Sequence, residues 1–186
     1  MNLRAVPTLL PGVLVIESEV YADRRGCFLE HYRNVQLADL GLPAMAECDV
    51  TISQRNVLRG LHYQVRDPQG KLLRVLHGAA FVAAVDMRER SPTAGKAAWL
   101  TLDRPGRALW VPPGFASGSL ALADETVLLT ACSAPHRTGS DRVVFFDDPD
   151  FGIPWPVELD AAILSDMDAH APLLTAAPFV PDSALV

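Results

Sequence analysis

Short apolar runs recur along this chain, each broken by turn residues, and that rhythm leaves little room for a helical bundle. Val13–Ile16, Cys27–Tyr32, Leu72–Leu76, Ala80–Val85, Trp99–Leu102, Ala108–Val111, Ser119–Leu122, Val127–Cys132 and Val143–Phe146 all read as strands. Their spacing is often near the roughly 8–12 residues of a β-sandwich or barrel. The stretch KLLRVLHGAAFVAAVDMR reads as a hairpin turning near His77-Gly78. Asn34–Leu42 is predicted as a short helix, with Leu37 and Leu40 at i,i+3, and a second short helix is expected within Ala161–His170. No repeat or linker interrupts the chain, so one domain over 1–186 is expected. Its last stretch, Ala171–Val186, should wrap the surface or fray, which leaves 173–186 peripheral. Proline (15) exceeds glycine (12), which also favours a turn-rich fold. An all-β sandwich of two antiparallel sheets fits these signals, with a few short helices.

Composition narrows the function. Hydrophobic residues make up 49% and charged residues 20%, enough for a sizeable core and too apolar for general disorder. The 16 Lys+Arg against 22 Asp+Glu give a net charge of −6. That balance offers no footprint for nucleic acid or an anionic membrane, though a local basic pocket stays open. The start carries Pro7, Pro11, Glu17 and Glu19 and does not read as a secretion signal. No apolar run is long enough for a membrane helix. Cys27, Cys48 and Cys132 follow neither disulfide nor zinc spacing, so reduced thiols in a cytoplasm are expected.

The string RGLHYQ gathers Arg59, His62, Tyr63 and Gln64, and Lys71 opens the next strand. On an extended strand Gly60, His62 and Gln64 share a face. A histidine beside Arg and Lys suits a base acting on an anionic substrate, and a buried, hydrogen-bonded histidine is the competing reading. Asp147, Asp148, Asp150, Asp166 and Asp168 cluster late. One of them could orient His62, although each alone reads more simply as a turn or cap residue. No histidine lies two residues from His62, and His31, His77, His136 and His170 are isolated, so a metal set is not expected. Phosphate loops, dinucleotide fingerprints and the G-x-S-x-G elbow are absent, and GFASGS reads as a loop or turn.

Taken in order, RGLHYQ, GKLLRV, VDMRERSPTAG, LWVPPGFA, DPDFGIPWP and LSDMDAHAP resemble the dTDP-4-dehydrorhamnose 3,5-epimerase family from about Gly12 to Pro172. The early Asp23–Gly26, with Phe28 and Glu30 after it, fits as well. The resemblance implies a cupin-type jelly roll, a homodimer with strand exchange, and no metal or organic cofactor. Val13–Ile16 is then the expected exchanged strand. It implies a nucleotide-diphosphate sugar substrate, a 4-keto-6-deoxyhexose whose C3 and C5 protons are acidic beside the C4 ketone. It further implies His62 as base, Asp168 as the acid that orients it, and Lys71 on the enolate oxygen. Arg59 shares that site, Arg25 matches a diphosphate contact, and Gln64, Glu30, Thr130 and Ser117 complete the expected substrate-binding set.

The chain departs from the family on one side. The Y-K-x-[ST] stretch holding the family's tyrosine acid reads TACS, which puts Thr130 and Ala131 there. GFAHGF becomes GFASGS, with Ser117 and Ser119. The N-x-S segment reads Asp49-Val50-Thr51, and Met167 replaces a basic residue. A threonine hydroxyl is a far weaker acid than a phenol with a pKa of about 10. The expectation is therefore epimerisation at one carbon, C3. The alternatives are a full 3,5-epimerase with a substitute acid, or a sugar-nucleotide binding module.

Overall fold

The computed structural model describes residues 2–185. Met1 and Val186, the ends of the expected domain span, lie outside the described residues. The strands run in chain order as β1 (Leu3–Pro7), β2 (Leu14–Ser18), β3 (Tyr21–Asp23), β4 (Gly26–Phe28), β5 (Glu47–Ser53) and β6 (Leu58–Gln64). They continue as β7 (Lys71–His77), β8 (Ala80–Asp86), β9 (Ala97–Leu102), β10 (Arg107–Val111), β11 (Phe115–Ala121), β12 (Thr126–Cys132) and β13 (Asp141–Val143). Among the described residues, helices are confined to α1 (Asn34–Asp39), α2 (Asp166–Ala169) and three single 3-10 turns.

Two sheets make the sandwich. One has six strands, ordered β1-β2-β10-β7-β12-β5, and the other five, ordered β13-β6-β11-β8-β9. A short β3–β4 ribbon stands apart. The architecture is thus the all-β jelly-roll sandwich expected from the sequence. Leu73, Val75, Val82, Ala84, Leu109, Val111 and Leu128 fill the space between the sheets. Phe146, Phe151, Ile153 and Val180 cover the outer face of the five-stranded sheet, against Leu61, Tyr63, Phe81 and Val85. Every residue of β8 is buried, as its unbroken AFVAAV run requires of a strand covered on both faces.

The six-stranded sheet is capped on its outer face by α1. That helix has six residues, too short to persist alone, and is held by Leu37, fully buried with Ile16, Leu72 and Trp110. It ends at Asp39, earlier than the expected Leu42, although Leu42 still joins the cluster. The second expected helix shrinks to α2 and a 3-10 turn at Leu159–Ala161. The tail after Ala171 wraps the surface. Val180 nevertheless inserts into the core, and its amide donates to the Met87 carbonyl at 2.7 Å.

Several strand expectations are corrected. The predicted hairpin at His77-Gly78 is a turn between sheets: β7 pairs with β10 and β12, while β8 pairs with β11 and β9. Gly78 makes the corner at φ +75°, where a Cβ would lie 2.6 Å from Thr126 Oγ1. Pairing within Cys27–Tyr32 stops at Phe28, and within Val143–Phe146 the strand ends at Val143, although the Val144 amide and carbonyl still bond to Leu61. The sequence reading has no strand at β1, β3 or β5, and it takes GFASGS as a loop or turn where β11 already runs from Phe115. In β5 the apolar Cys48, Val50 and Ile52 point outward and the polar Glu47, Asp49 and Thr51 inward, the inverse of the pattern that marks a core strand. Val13–Ile16, expected as an exchanged strand, lies largely within β2, which is paired on both sides by β1 and β10 of its own chain.

Candidate active site

At one end of the sandwich the space between the sheets opens into a cleft of about 430 Å³. The change is visible along single strands. On β7, Leu73 and Val75 belong to the core while Lys71 reaches the cleft. On β12, Leu128 is core while Thr130 and Cys132 face the opening. Register then builds a wall from the six-stranded sheet, because Lys71 pairs with Cys132, which pairs with Glu47. One rung further, Thr130 pairs with Asp49. An inner alcove of about 110 Å³ is lined by Arg59, His62, Lys71, Ser117, Ser119 and Thr130 among others.

His62 comes from the opposite sheet, on β6. Its Nε2 bonds Asp168 Oδ1 at 2.6 Å. Asp168, 2% exposed, sits in α2, where the Ser165 hydroxyl caps the helix by accepting from the Asp168 amide. The preceding segment is fastened to the start of β6, since the Leu58 amide donates to the Ile163 carbonyl and Ile163 to that of Asn56. Two residues 106 apart in sequence are thereby fixed as a pair. Burial raises the Asp168 carboxyl, but bonds from His62, Ser165 and the Gly60 backbone outweigh it and hold the group below its ordinary value.

Strict alternation along β6 is broken. Leu58 and Leu61 join the same outer core, and Arg59 and His62 both reach the cleft, although each pair is an odd number of residues apart. The pairing with β11 slips between Ser117 and Ser119, so that three steps on β6 match two on β11. From Leu61 onward alternation resumes: Tyr63 points outward with its hydroxyl on the Pro178 carbonyl, and His62 inward. Gln64 is buried beside the cleft and donates to Asp141 Oδ1 at 3.1 Å, while His136 Nε2 lies 2.8 Å from Asp141 Oδ2.

Lys71 is partly buried, and desolvation lowers its ammonium pKa against the pull of Cys132, Asp141 and Asp49. Burial pushes the Cys132 thiol up to about 11; Lys71 opposes this, while Asp49, Glu47 and Cys48 add to it. Ligand atoms of Glu47, Asp49 and Cys132 lie within 4.8 Å of one another and could in principle share a cation. Lys71, which interacts with both Asp49 and Cys132, already supplies positive charge at that spot.

Of the expected site residues, His62, Asp168, Lys71, Arg59, Ser117 and Thr130 come together, and Gln64 supports the rim through Asp141. Arg25 and Glu30 do not join them within one chain. Arg25 lies on the β3–β4 ribbon, bonded to Asp23, and borders a separate hollow of about 320 Å³ with Tyr21 and Phe28. Glu30 pairs with Arg33. Glu47, Cys132, His136, Asp141 and Arg142 line the cleft without having been singled out in the sequence. Cys132 was open to inference, since it lies two residues beyond Thr130 and shares its face. Asp147, Asp148 and Asp150 stay outside the cleft lining, and Asp148 serves as an anchor for the amides of Asp150 and Leu174.

Comparison with known proteins gives the family. The family profile described as dTDP-4-dehydrorhamnose 3,5-epimerase matches residues 7–176. The chain belongs to that family. It is accordingly an isomerase of the carbohydrate epimerase class. Among the family, the dTDP-4-dehydrorhamnose 3,5-epimerase of Methanothermobacter thermautotrophicus is 41% identical over 172 residues, covering 91% of this chain and 93% of that protein. A solved dTDP-6-deoxy-D-glucose-3,5-epimerase from Legionella pneumophila, in complex with dTDP-4-keto-L-rhamnose, superposes with TM-score 0.90 at 33% identity, covering 96% of this chain and 98% of that one. ChmJ of Streptomyces bikiniensis, a 3'-monoepimerase solved with dTDP-quinovose, gives TM-score 0.84 at 30% identity, covering 94% and 88%. No helix among the described residues is long and apolar enough to cross a membrane.

Proposed function

We propose that this epimerase acts on a dTDP-linked 4-keto-6-deoxyhexose and inverts one carbon, C3. The observation that carries the reading is the His62–Asp168 pair facing Lys71 across the cleft, with Thr130 on the far wall. Asp168 holds Nε2 and leaves Nδ1 of His62 as the proton acceptor. The base removes the proton alpha to the ketone, and the Lys71 ammonium stabilises the enolate oxygen. Arg59 adds positive charge in the alcove, Ser117 and Thr130 shape its walls, and Gln64 fixes Asp141 at the rim. No metal or organic cofactor is needed for this step, because the ketone itself makes the alpha proton acidic.

One-carbon inversion follows from the small residue at Thr130. A second inversion demands a second proton delivered after the ring has changed shape, and each delivery relies on the side where no phenol stands. ChmJ, a 3'-monoepimerase, has the same fold, which fits one-carbon inversion on this architecture. ChmJ has a tyrosine that one of its solved variants replaces with phenylalanine, so its restriction has another cause than a missing phenol. Arg25 is assigned to the nucleotide diphosphate and Glu30 to the substrate-binding set, both reached when a second copy brings its ribbon to the cleft, so the working unit is a homodimer. The three free thiols suit a reducing cytoplasm.

The test is incubation with dTDP-4-keto-6-deoxyglucose in deuterium oxide, followed by NMR. Deuterium should enter at C3 with little at C5, and His62→Ala should abolish it. Rapid entry at both carbons would restore a full 3,5-epimerase. No entry at either would leave only binding.

A further inference from the structure

We propose that Cys132 is the acid that returns the proton on the face of the sugar opposite His62. The inference rests on the reading of the cleft as an epimerase site and supplies the group that reading lacks.

Inversion needs two proton-transfer groups on opposite sides of one carbon. In this fold the two sides are the two sheets. His62 hangs from β6 in the five-stranded sheet, and the facing wall comes from β5, β7 and β12 of the six-stranded sheet. Among the cleft-facing side chains of that wall, Lys71 is committed to the enolate oxygen. Thr51 and Thr130 are alcohols, too weak as acids to replace a phenol. Glu47 and Asp49 are carboxylate side chains, which accept hydrogen bonds rather than donate them. Cys132 remains. It is 2% exposed and unbridged, its thiol has no hydrogen-bond partner among the described residues, and it borders the cleft directly beside Lys71 in the strand register.

The chemistry balances. When the enolate collapses, carbon takes the proton from the thiol S–H and the C4 ketone re-forms. The thiolate left behind is held by the Lys71 ammonium. Solvent then returns a proton to sulfur, while His62 gives up to solvent the proton it removed. The thiol's raised pKa, near that of a phenol, keeps it protonated until the enolate forms. The arrangement also explains why one carbon is served. A cysteine reaches by a single side-chain torsion from its backbone, so its proton is delivered at one place.

The experiment compares the wild-type chain with Cys132→Ala and Cys132→Ser, following exchange and inversion separately by NMR in deuterium oxide. If Cys132 is the acid, both variants keep His62-dependent deuterium entry at C3 with configuration retained, because the base alone can remove and return that proton. The inverted product should fall by about 10²-fold or more. A purely structural role would not divide the two readouts. Inversion at the wild-type rate in Cys132→Ala overturns the proposal and leaves the base assignment intact. Loss of exchange and inversion together in both variants also overturns it, because an acid acting after the enolate is not needed for exchange. A wild-type chain that exchanges without inverting removes the need for any acid. One that does not exchange at all defeats the epimerase reading itself.

Discussion

His31 is carried into the fold as a neutral base. Both ring nitrogens are buried without a hydrogen-bond partner, and burial, helped by the nearby Arg74 guanidinium, depresses its pKa to about 4. The unfolded chain takes up a proton below about 6.5 and the folded chain does not until about 4, so stability falls as pH drops between those values. The loss is at most about 3 kcal/mol. Urea midpoints at pH 7 and pH 4.5 should differ less for His31→Phe than for the wild type. Equal differences would sink the assignment. Single residues were unevenly legible in the sequence. His62, Lys71 and Asp168 stand in distinctive strings, and the structure gathers them. Arg74, 1% exposed and bonded to the Pro105 carbonyl and the Ser18 hydroxyl, was hidden, because a charged residue in a strand reads as solvent-facing until the covering segment is known.

At the level of elements, β6 depends on Gly60. Its φ is +124°, and a Cβ there would sit 2.7 Å from Gly118 Cα and 2.9 Å from the Ser117 carbonyl oxygen, both backbone atoms of β11. Neither can swing aside as a side chain could. Gly60→Ala should therefore destabilise the fold by roughly 2 kcal/mol or more. It should also disturb the Asp168 contact, since the Gly60 backbone helps hold that carboxylate. A thermal midpoint equal to the wild type would refute this. Alternation in the sequence gave no warning of the phase slip that puts Arg59 and His62 in one cleft. A bulge is set by pairing with β11, which lies more than fifty residues downstream. The same limit explains the hairpin that was not one. The turn at Gly78 was readable, but the partner sheets of β7 and β8 were not, because local pattern carries no record of which strand lies alongside.

For the whole molecule, β5 is an edge of the six-stranded sheet and turns Val50 and Ile52 outward at 56% and 65% exposure, with Leu76 of β7 exposed as well. Such an apolar edge in a lone chain invites aggregation, and a second copy would bury it. Light scattering at micromolar concentration should give a dimer, and Ile52→Glu should shift it toward monomer. A wild-type monomer under those conditions would overturn the homodimer. The division of the cleft between two sheets has a last consequence. A sugar ring held there meets two independently built surfaces, each with its own backbone. The wall on β5 and β12 can be rewritten, from phenol to alcohol or thiol and from amide to carboxyl, without moving the imidazole opposite. Stereochemical outcome and proton abstraction are then separate dials on one barrel. A designer could turn the first by changing Asp49, Thr130 and Cys132 alone.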